Sequence, residues 1–349
     1  MMNNNTLQQP RNILVIYTGG TIGMIQDAET GTLVPFNFDD VYQHIPMLRL
    51  YNYKIDFKNF LPLIDSSNVK PQFWIDLVTS IQKNYELYDG FVVLHGSDTM
   101  AYTASALSFM FENLNKPVVL TGSQLPLGVI RTDGRENIIN AIEVAAAYID
   151  DTPVVPEVTI CFENKIYRGN RTHKNNAENF DAFVSSNYPV LAEAGVHIRY
   201  NRELITPPNF KKLKVHTSLD NNIAILKLFP GISEQSVKAV LAIEGLKAVI
   251  LETYGSGNAP TNDWFIEQLK EAIESGIIVV NVTQCKGGGT VEIGKYETSI
   301  LLGEIGVISG FDMTTETAVS KLMFLLGSGK NKNEVELLMQ KPLRGEMSI

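Results

Sequence analysis

The stretch ILVIYTGGTIG (residues 13–23) decides how the chain folds. Its first five residues are apolar without alternation and mostly β-branched or aromatic. That pattern reads as a strand buried on both faces, hence a parallel strand inside an α/β sheet. The run stops at Thr18. Gly19, Gly20 and Gly23 let the backbone take positive φ and come close to a ligand, while Thr18 and Thr21 set two hydroxyls in the turn beyond the strand. In open α/β sheets such turns line the crevice at the carboxyl ends of the strands, where ligands bind.

Working outward, the same strand, turn and helix grammar recurs. FVVL (91–94) is a buried strand, HGSDT (95–99) a polar turn, and a long helix rich in Ala, Leu and Met follows. PVVLTGSQ (117–124) repeats the strand and turn ahead of a helix expected over 134–149, and 157–174 begins a fourth unit that runs into a basic stretch with Arg168, Arg171 and Lys174. Residues 24–36 read as a surface loop that could cover the crevice, 38–50 as a helix, and 54–64 as a strand leading to Asp65, Ser66, Ser67 and Asn68. These last four sit at a strand end or cap the helix that starts near Pro71. Between about 201 and 222 periodicity disappears around Pro207-Pro208. The expected organisation is therefore an N-terminal α/β domain over 1–202 with a mainly parallel sheet, a linker over 203–222, and a smaller C-terminal α/β domain over 223–349 with strands near 224–229, 247–255 and 276–284 and a helix at 315–327.

At 349 residues and 44% hydrophobic composition the chain can build two cores. Its formal net charge of −9 argues against nucleic acid or an anionic membrane as partner. The opening MMNNNTLQQP lacks the basic and apolar regions of a secretory signal, and no apolar run approaches the roughly 18 residues of a membrane span. Cys161 and Cys285 are far apart, without CxxC spacing, and the five histidines are scattered. A cytoplasmic protein with no metal and no cofactor is the expectation.

Each motif has a bland reading beside its functional one. TGGTIG lacks the G-x-G-x-x-G spacing of a dinucleotide site, and GTVEIGKY (289–296) mimics a phosphate loop but ends in Tyr296, where magnesium would need Ser or Thr. His95 next to Ser97 has no nucleophile elbow around it and reads as a satisfied packing residue. Ser97 and Asp98 can be simple helix caps, Ser66 and Ser67 likewise, and Lys174 a solvated lysine. Placement lifts the set, because Thr18/Thr21, Ser66/Ser67 and Ser97/Asp98 all fall just past strand ends and would share one crevice. Hydroxyls without a histidine partner suit an activated Thr or Ser nucleophile whose proton leaves through Lys, Tyr or water. On these residues alone the chain is an amide or ester hydrolase, or a binder of small polar molecules.

TGGTIG, HGSDTMAYTASALSFM, LTGSQLPL, YRGNRTHK and NAP (258–260) together resemble the bacterial-type L-asparaginases, most closely the cytoplasmic type I branch, along nearly the whole chain. The resemblance implies a flavodoxin-like N-terminal domain, a smaller C-terminal α/β domain, and a homodimer or homotetramer with active sites at the subunit contact. It implies L-asparagine as substrate and Thr21 as the nucleophile that forms an aspartyl-enzyme. Ser97, Asp98 and Lys174 would be the second catalytic group, Asp98 also holding the substrate's amino group, with Ser66 and Ser67 on its carboxylate and Asn258 reaching the neighbouring subunit's site. Glutaminase action, the amidase part of an amidotransferase, or a non-catalytic amino-acid sensor are the other functions this fold would serve. Two departures stand out: Ser97 occupies a place where the family usually has Thr, and Glu252 stands where some type I members carry an arginine of a separate allosteric asparagine site. Many relatives also support the nucleophile with a loop tyrosine, but the aligned place here is Thr32 and no tyrosine occurs between Tyr17 and Tyr42. Tyr296 is the candidate to fill that role.

Overall fold

The computed structural model describes residues 10–26, 31, 33–35, 41–294 and 297–348. Two sheets organise the described residues. The larger is built from β1 (Arg11–Tyr17), β2 (Tyr53–Asn59), β3 (Gly90–Leu94), β4 (Val118–Thr121), β5 (Val158–Phe162), β6 (Lys165–Arg168), β7 (Ala192–Ala194) and β8 (Ile198–Tyr200). Their spatial order is β8-β7-β6-β5-β4-β3-β1-β2, parallel from β2 through to β5 and antiparallel from β5 to β8. The order 2-1-3-4-5 at the parallel end is that of flavodoxin-like sheets, whose topological switch point lies between β1 and β3. The smaller sheet is wholly parallel and in chain order: β9 (Ile223–Lys227), β10 (Ala248–Thr253), β11 (Ile278–Thr283) and β12 (Ile308–Ser309).

The unalternating apolar run of β1 is explained by what covers it. Ile13, Val15 and Tyr17 face a core closed by the helix α3 (Gly134–Ala145, after α1 and α2 below), while Leu14 and Ile16 face the opposite core, closed by α1 (Pro71–Asn84) and α2 (Met100–Met110). Both faces are dry, so both sets must be apolar. The small sheet is likewise covered on both sides, by α4 (Glu234–Leu241), α5 (Asp263–Glu274) and α6 (Glu297–Glu304) on one face and by α7 (Thr315–Gly327) and α8 (Lys332–Met339) on the other. Helix α2 is buried almost all round. It lies between the large sheet and α7, and Phe109 reaches into the core of the small sheet and stacks on Phe324. A helix apolar on every side is what a position between two layers demands.

Register fixes where function can sit. Tyr17 pairs with Asn59 on one side and Leu94 on the other, and Leu94 pairs with Thr121, so β1 to β4 end level. The turns that follow them therefore share one edge of the sheet.

Three expected elements come out differently. The helix expected over 38–50 is broken into a helical turn at Val41–His44 and a 3-10 turn at Pro46–Leu50, because Pro46 has no N–H and drives Ile45 out of the helical region. The helix expected to reach 149 stops at Ala145; Tyr148–Ile149 turns back on Thr152–Pro153 through Asp150 and Asp151, both at positive φ as a tight hairpin turn requires. Within the stretch 24–36, read as a loop, Met24–Gln26 and Leu33–Pro35 pair as an antiparallel ribbon.

Candidate active site

Thr21 opens a 3-10 turn (Thr21–Gly23) immediately after β1, preceded by Gly19 and Gly20 at φ of 124° and 87°. At Gly20 a side chain is excluded twice. Its φ is strained for any L-residue, and a Cβ would lie 2.5 Å from the Cα of Gly96. Gly96 is equally constrained, since its own Cβ would lie 2.5 Å from the Ser66 hydroxyl oxygen. Three turns thus meet closely at these glycines: the one before Thr21, the one after β3, and the one carrying Ser66. Tyr17 props the first from beneath by donating its hydroxyl to the Gly23 carbonyl at 3.0 Å, and burial raises that phenol to about 12. Thr18 is not a crevice hydroxyl as expected; it is buried and donates to the Leu94 carbonyl at 2.9 Å, tying β1 to β3. Among the described residues the Thr21 hydroxyl has no hydrogen-bond partner and is partly exposed.

Ser97 and Asp98 follow β3 in the 3-10 turn Ser97–Thr99. Neither acts as a helix cap. Instead Lys174 Nζ donates to the Ser97 hydroxyl at 2.8 Å and to an Asp98 carboxylate oxygen at 2.6 Å. The Lys174 side chain is 16% exposed and that of Asp98 is 66% exposed, so the lysine is held from within while the carboxylate faces outward. Lys174 is delivered by a short ribbon, His173–Lys174 against Phe183–Val184. Its solvated-lysine reading is therefore set aside. Ser97 also donates to the Gln124 side chain at 3.4 Å, and Gln124 is anchored through the Asn179 carbonyl at 3.0 Å.

Ser66 and Ser67 lie in the 3-10 turn Ser66–Asn68, capped by Asp65 and not by either serine. The Asp65 carboxylate accepts from the Ser67 N–H and hydroxyl, both at 2.8 Å, and the backbone bond above all holds its pKa below the usual value. Ser66 is buried, Ser67 exposed, and Thr99 ties this turn to the next by donating to the Ser66 carbonyl at 2.7 Å.

The remaining candidates lie elsewhere. Asn258 belongs to the small sheet, in the turn after β10, where Tyr254 and Asn258 exchange backbone bonds of 2.9 and 2.8 Å. Glu252, in β10, accepts from Lys227 at 2.9 Å and from Thr315 at 2.6 Å. Tyr296 and Thr32 fall outside the described residues. Gln124 was missed at the level of sequence, although its position just past the end of β4 is the same signal that singled out Thr21 and Ser97. Among the described residues no cluster of His, Cys, Asp and Glu could hold a metal ion, and no helix is long and apolar enough to cross a membrane.

A serine and a carboxylate gripped by one lysine, across a glycine contact from a threonine on a strand-end turn, can activate a hydroxyl and hold a zwitterion. The family model described as asparaginase, N-terminal, matches residues 12–206, and the glutaminase/asparaginase C-terminal domain matches residues 222–339. L-asparaginase 1 of Escherichia coli is 45% identical over 97% of this chain and 99% of its own length. The solved L-asparaginase I of Vibrio cholerae superposes with a TM-score of 0.87 at 43% identity, covering 97% of this chain and all of that one. A mouse protein named 60 kDa lysophospholipase is 40% identical over 97% of this chain and 63% of its own length.

Proposed function

The chain belongs to the asparaginase family, and on that premise we propose that it hydrolyses L-asparagine to L-aspartate and ammonia through an acyl-enzyme on Thr21. The observation that carries the reading is Lys174 Nζ bridging the Ser97 hydroxyl and the Asp98 carboxylate at 2.8 and 2.6 Å. In this reading the Thr21 oxygen attacks the side-chain amide carbon as its proton passes to Ser97 and Lys174. That same proton goes on to the departing nitrogen, which leaves as ammonia. Water then attacks the ester, its proton taken by the same group and returned to the Thr21 oxygen as L-aspartate departs. Asp98, exposed and anionic, suits the substrate's ammonium, and Ser66 and Ser67 suit its carboxylate.

The same nucleophile would open an ester, which the mouse relative's name raises. The groups around Thr21 are short and polar, which supports a small zwitterion over an acyl chain. The test is ammonia release by the pure protein from L-asparagine, L-glutamine and their D-forms, with a lysophospholipid alongside. L-asparagine is expected to lead, the lysophospholipid to release no fatty acid, and Thr21→Ala to lose turnover by orders of magnitude. Near-normal turnover in that variant would overturn the nucleophile assignment.

We also read residues 1–202 as the catalytic domain, 203–222 as linker and 223–349 as the second domain, supported by the last large-sheet strand ending at Tyr200 and the first small-sheet strand starting at Ile223. A cytoplasmic location is supported by two free cysteines, Cys161 and Cys285. A homodimer or homotetramer, with Asn258 reaching a neighbour's site, is the expected assembly; an active monomer in sedimentation would sink it.

A further inference from the structure

His95 lies immediately after β3, is almost completely buried, and makes hydrogen bonds with both ring nitrogens. Nδ1 is 2.7 Å from the Gly96 carbonyl oxygen and Nε2 is 3.0 Å from the Thr103 hydroxyl on α2. The roles follow from chemistry. A carbonyl only accepts, so Nδ1 carries the proton and Nε2 is an acceptor. The Trp74 indole, which only donates, gives its N–H to the same Thr103 oxygen at 3.0 Å, leaving the threonine proton for Nε2. Trp74 N–H to Thr103, Thr103 O–H to His95, and His95 N–H to Gly96 therefore form one directed chain from α1 through α2 to the floor of the crevice. Phe73, next to Trp74 on α1, packs edge-on against the His95 ring with centroids 5.7 Å apart.

The end of this chain is the peptide that joins Gly96 to Ser97. That unit is planar and trans, so fixing its carbonyl direction fixes the opposite direction of the Ser97 N–H. Gly96 also touches both other site turns, Gly20 on one side and Ser66 on the other. A small rotation here would move Ser97 and Asp98 relative to Thr21 and Ser66.

We propose that His95 is a positioning residue: by clamping the Gly96 carbonyl it holds the Gly96–Ser97 peptide in the one orientation that aligns Ser97 and Asp98 with Thr21. The inference rests on the reading of Ser97, Asp98 and Lys174 as the proton-handling group.

Two amide substitutions separate this role from packing. In His95→Asn the amide nitrogen falls where Nδ1 sits and can still donate to Gly96. In His95→Gln the amide group falls near Nε2, where its oxygen can accept from Thr103 but its nitrogen cannot reach Gly96. The Asn variant is expected to keep kcat within about tenfold of the parent, and the Gln variant to lose about a hundredfold in kcat with KM changed only a few-fold. A packing residue would show no such order. Equal activities in the two variants would overturn the proposal. Should neither variant fold, 15N-histidine NMR of the unaltered protein decides: His95 neutral and protonated on Nδ1 supports the clamp, and protonation on Nε2 refutes it. Ser97→Ala and Lys174→Met are assayed in parallel. If they remain active the reading of the proton-handling group fails; if they are inactive while His95→Gln is active, only the clamp fails.

Discussion

At the scale of single residues, the proposed site rests on groups joined by hydrogen bonds. Lys174 touches both Ser97 and Asp98, so removing either end of the pair strands the other. Lys174→Met and Ser97→Ala are each expected to lose activity by about 10²-fold or more, and the double variant to be little worse than the poorer single. Multiplying losses in steady-state assays would show two independent roles. His95 makes a different prediction. Burial holds it neutral, with a pKa lowered from 6.5 to about 4, so between those values the unfolded chain binds a proton that the folded chain excludes. Its contribution to stability is complete above pH 6.5 and disappears as pH falls toward 4, on the order of 3 kcal/mol in all. Urea midpoints from pH 7 to 4.5 should therefore fall more steeply for the parent than for His95→Asn. Parallel slopes would mean His95 is not the group that excludes the proton.

At the scale of elements, what was legible in the sequence was what the backbone alone requires. The runs 13–17, 91–94 and 118–121 are strands because both faces of the parallel sheet are buried, and the turns after them were correctly expected to meet because parallel strands end together. Side-chain allegiances were less legible. Thr18 and Thr21 look alike in TGGTIG, yet the Thr18 hydroxyl is spent on Leu94 while that of Thr21 has no partner among the described residues. His95 read as packing because its partners, Thr103 and Trp74, are distant in sequence. The antiparallel end of the large sheet, β6 to β8, was not resolved into strands because its segments are only three or four residues long. Local chemistry still decides one testable point. The turn Ser66–Asn68 is held by Asp65 through the Ser67 N–H, a bond that loses its acceptor in Asp65→Ala. A lost cap is worth about 1 kcal/mol, so KM for L-asparagine should rise roughly fivefold with kcat nearly unchanged. A fall in kcat alone would place Asp65 in catalysis rather than in the support of the turn.

At the scale of the whole molecule, the two sheets are joined where the lysine segment passes. Arg171, three residues before Lys174, pairs with Asp312 at 2.7 Å and donates to the Gly345 carbonyl at 2.8 Å and the Ser348 hydroxyl at 3.0 Å. Asn170 donates to the Arg344 carbonyl at 3.0 Å. Residues 343–348 therefore bind the segment that presents Lys174, and they are held in turn by one ion pair, Lys321 on α7 with Glu346 at 2.6 Å, both side chains fully buried. Each charge is otherwise well served: Lys321 donates to the Met339 and Lys341 carbonyls, and Glu346 accepts from the Leu343 and Arg344 N–H groups. Burying such a pair yields little net stability, but removing one partner leaves a charge in the core without compensation, at a cost of about 3–5 kcal/mol. Lys321→Met should therefore lower the urea midpoint sharply, because Glu346 is left buried and charged. Adding Glu346→Gln removes that charge and should recover part of the loss, even though a second native group has gone. Recovery of stability in the double variant identifies the stranded carboxylate as the cause, whereas additive losses would mean that Lys321 acts by packing alone. Activity measured well below the unfolding midpoint completes the argument: if residues 343–348 seat the lysine segment, Lys321→Met loses kcat while still folded, and an undiminished kcat would confine the ion pair to stability.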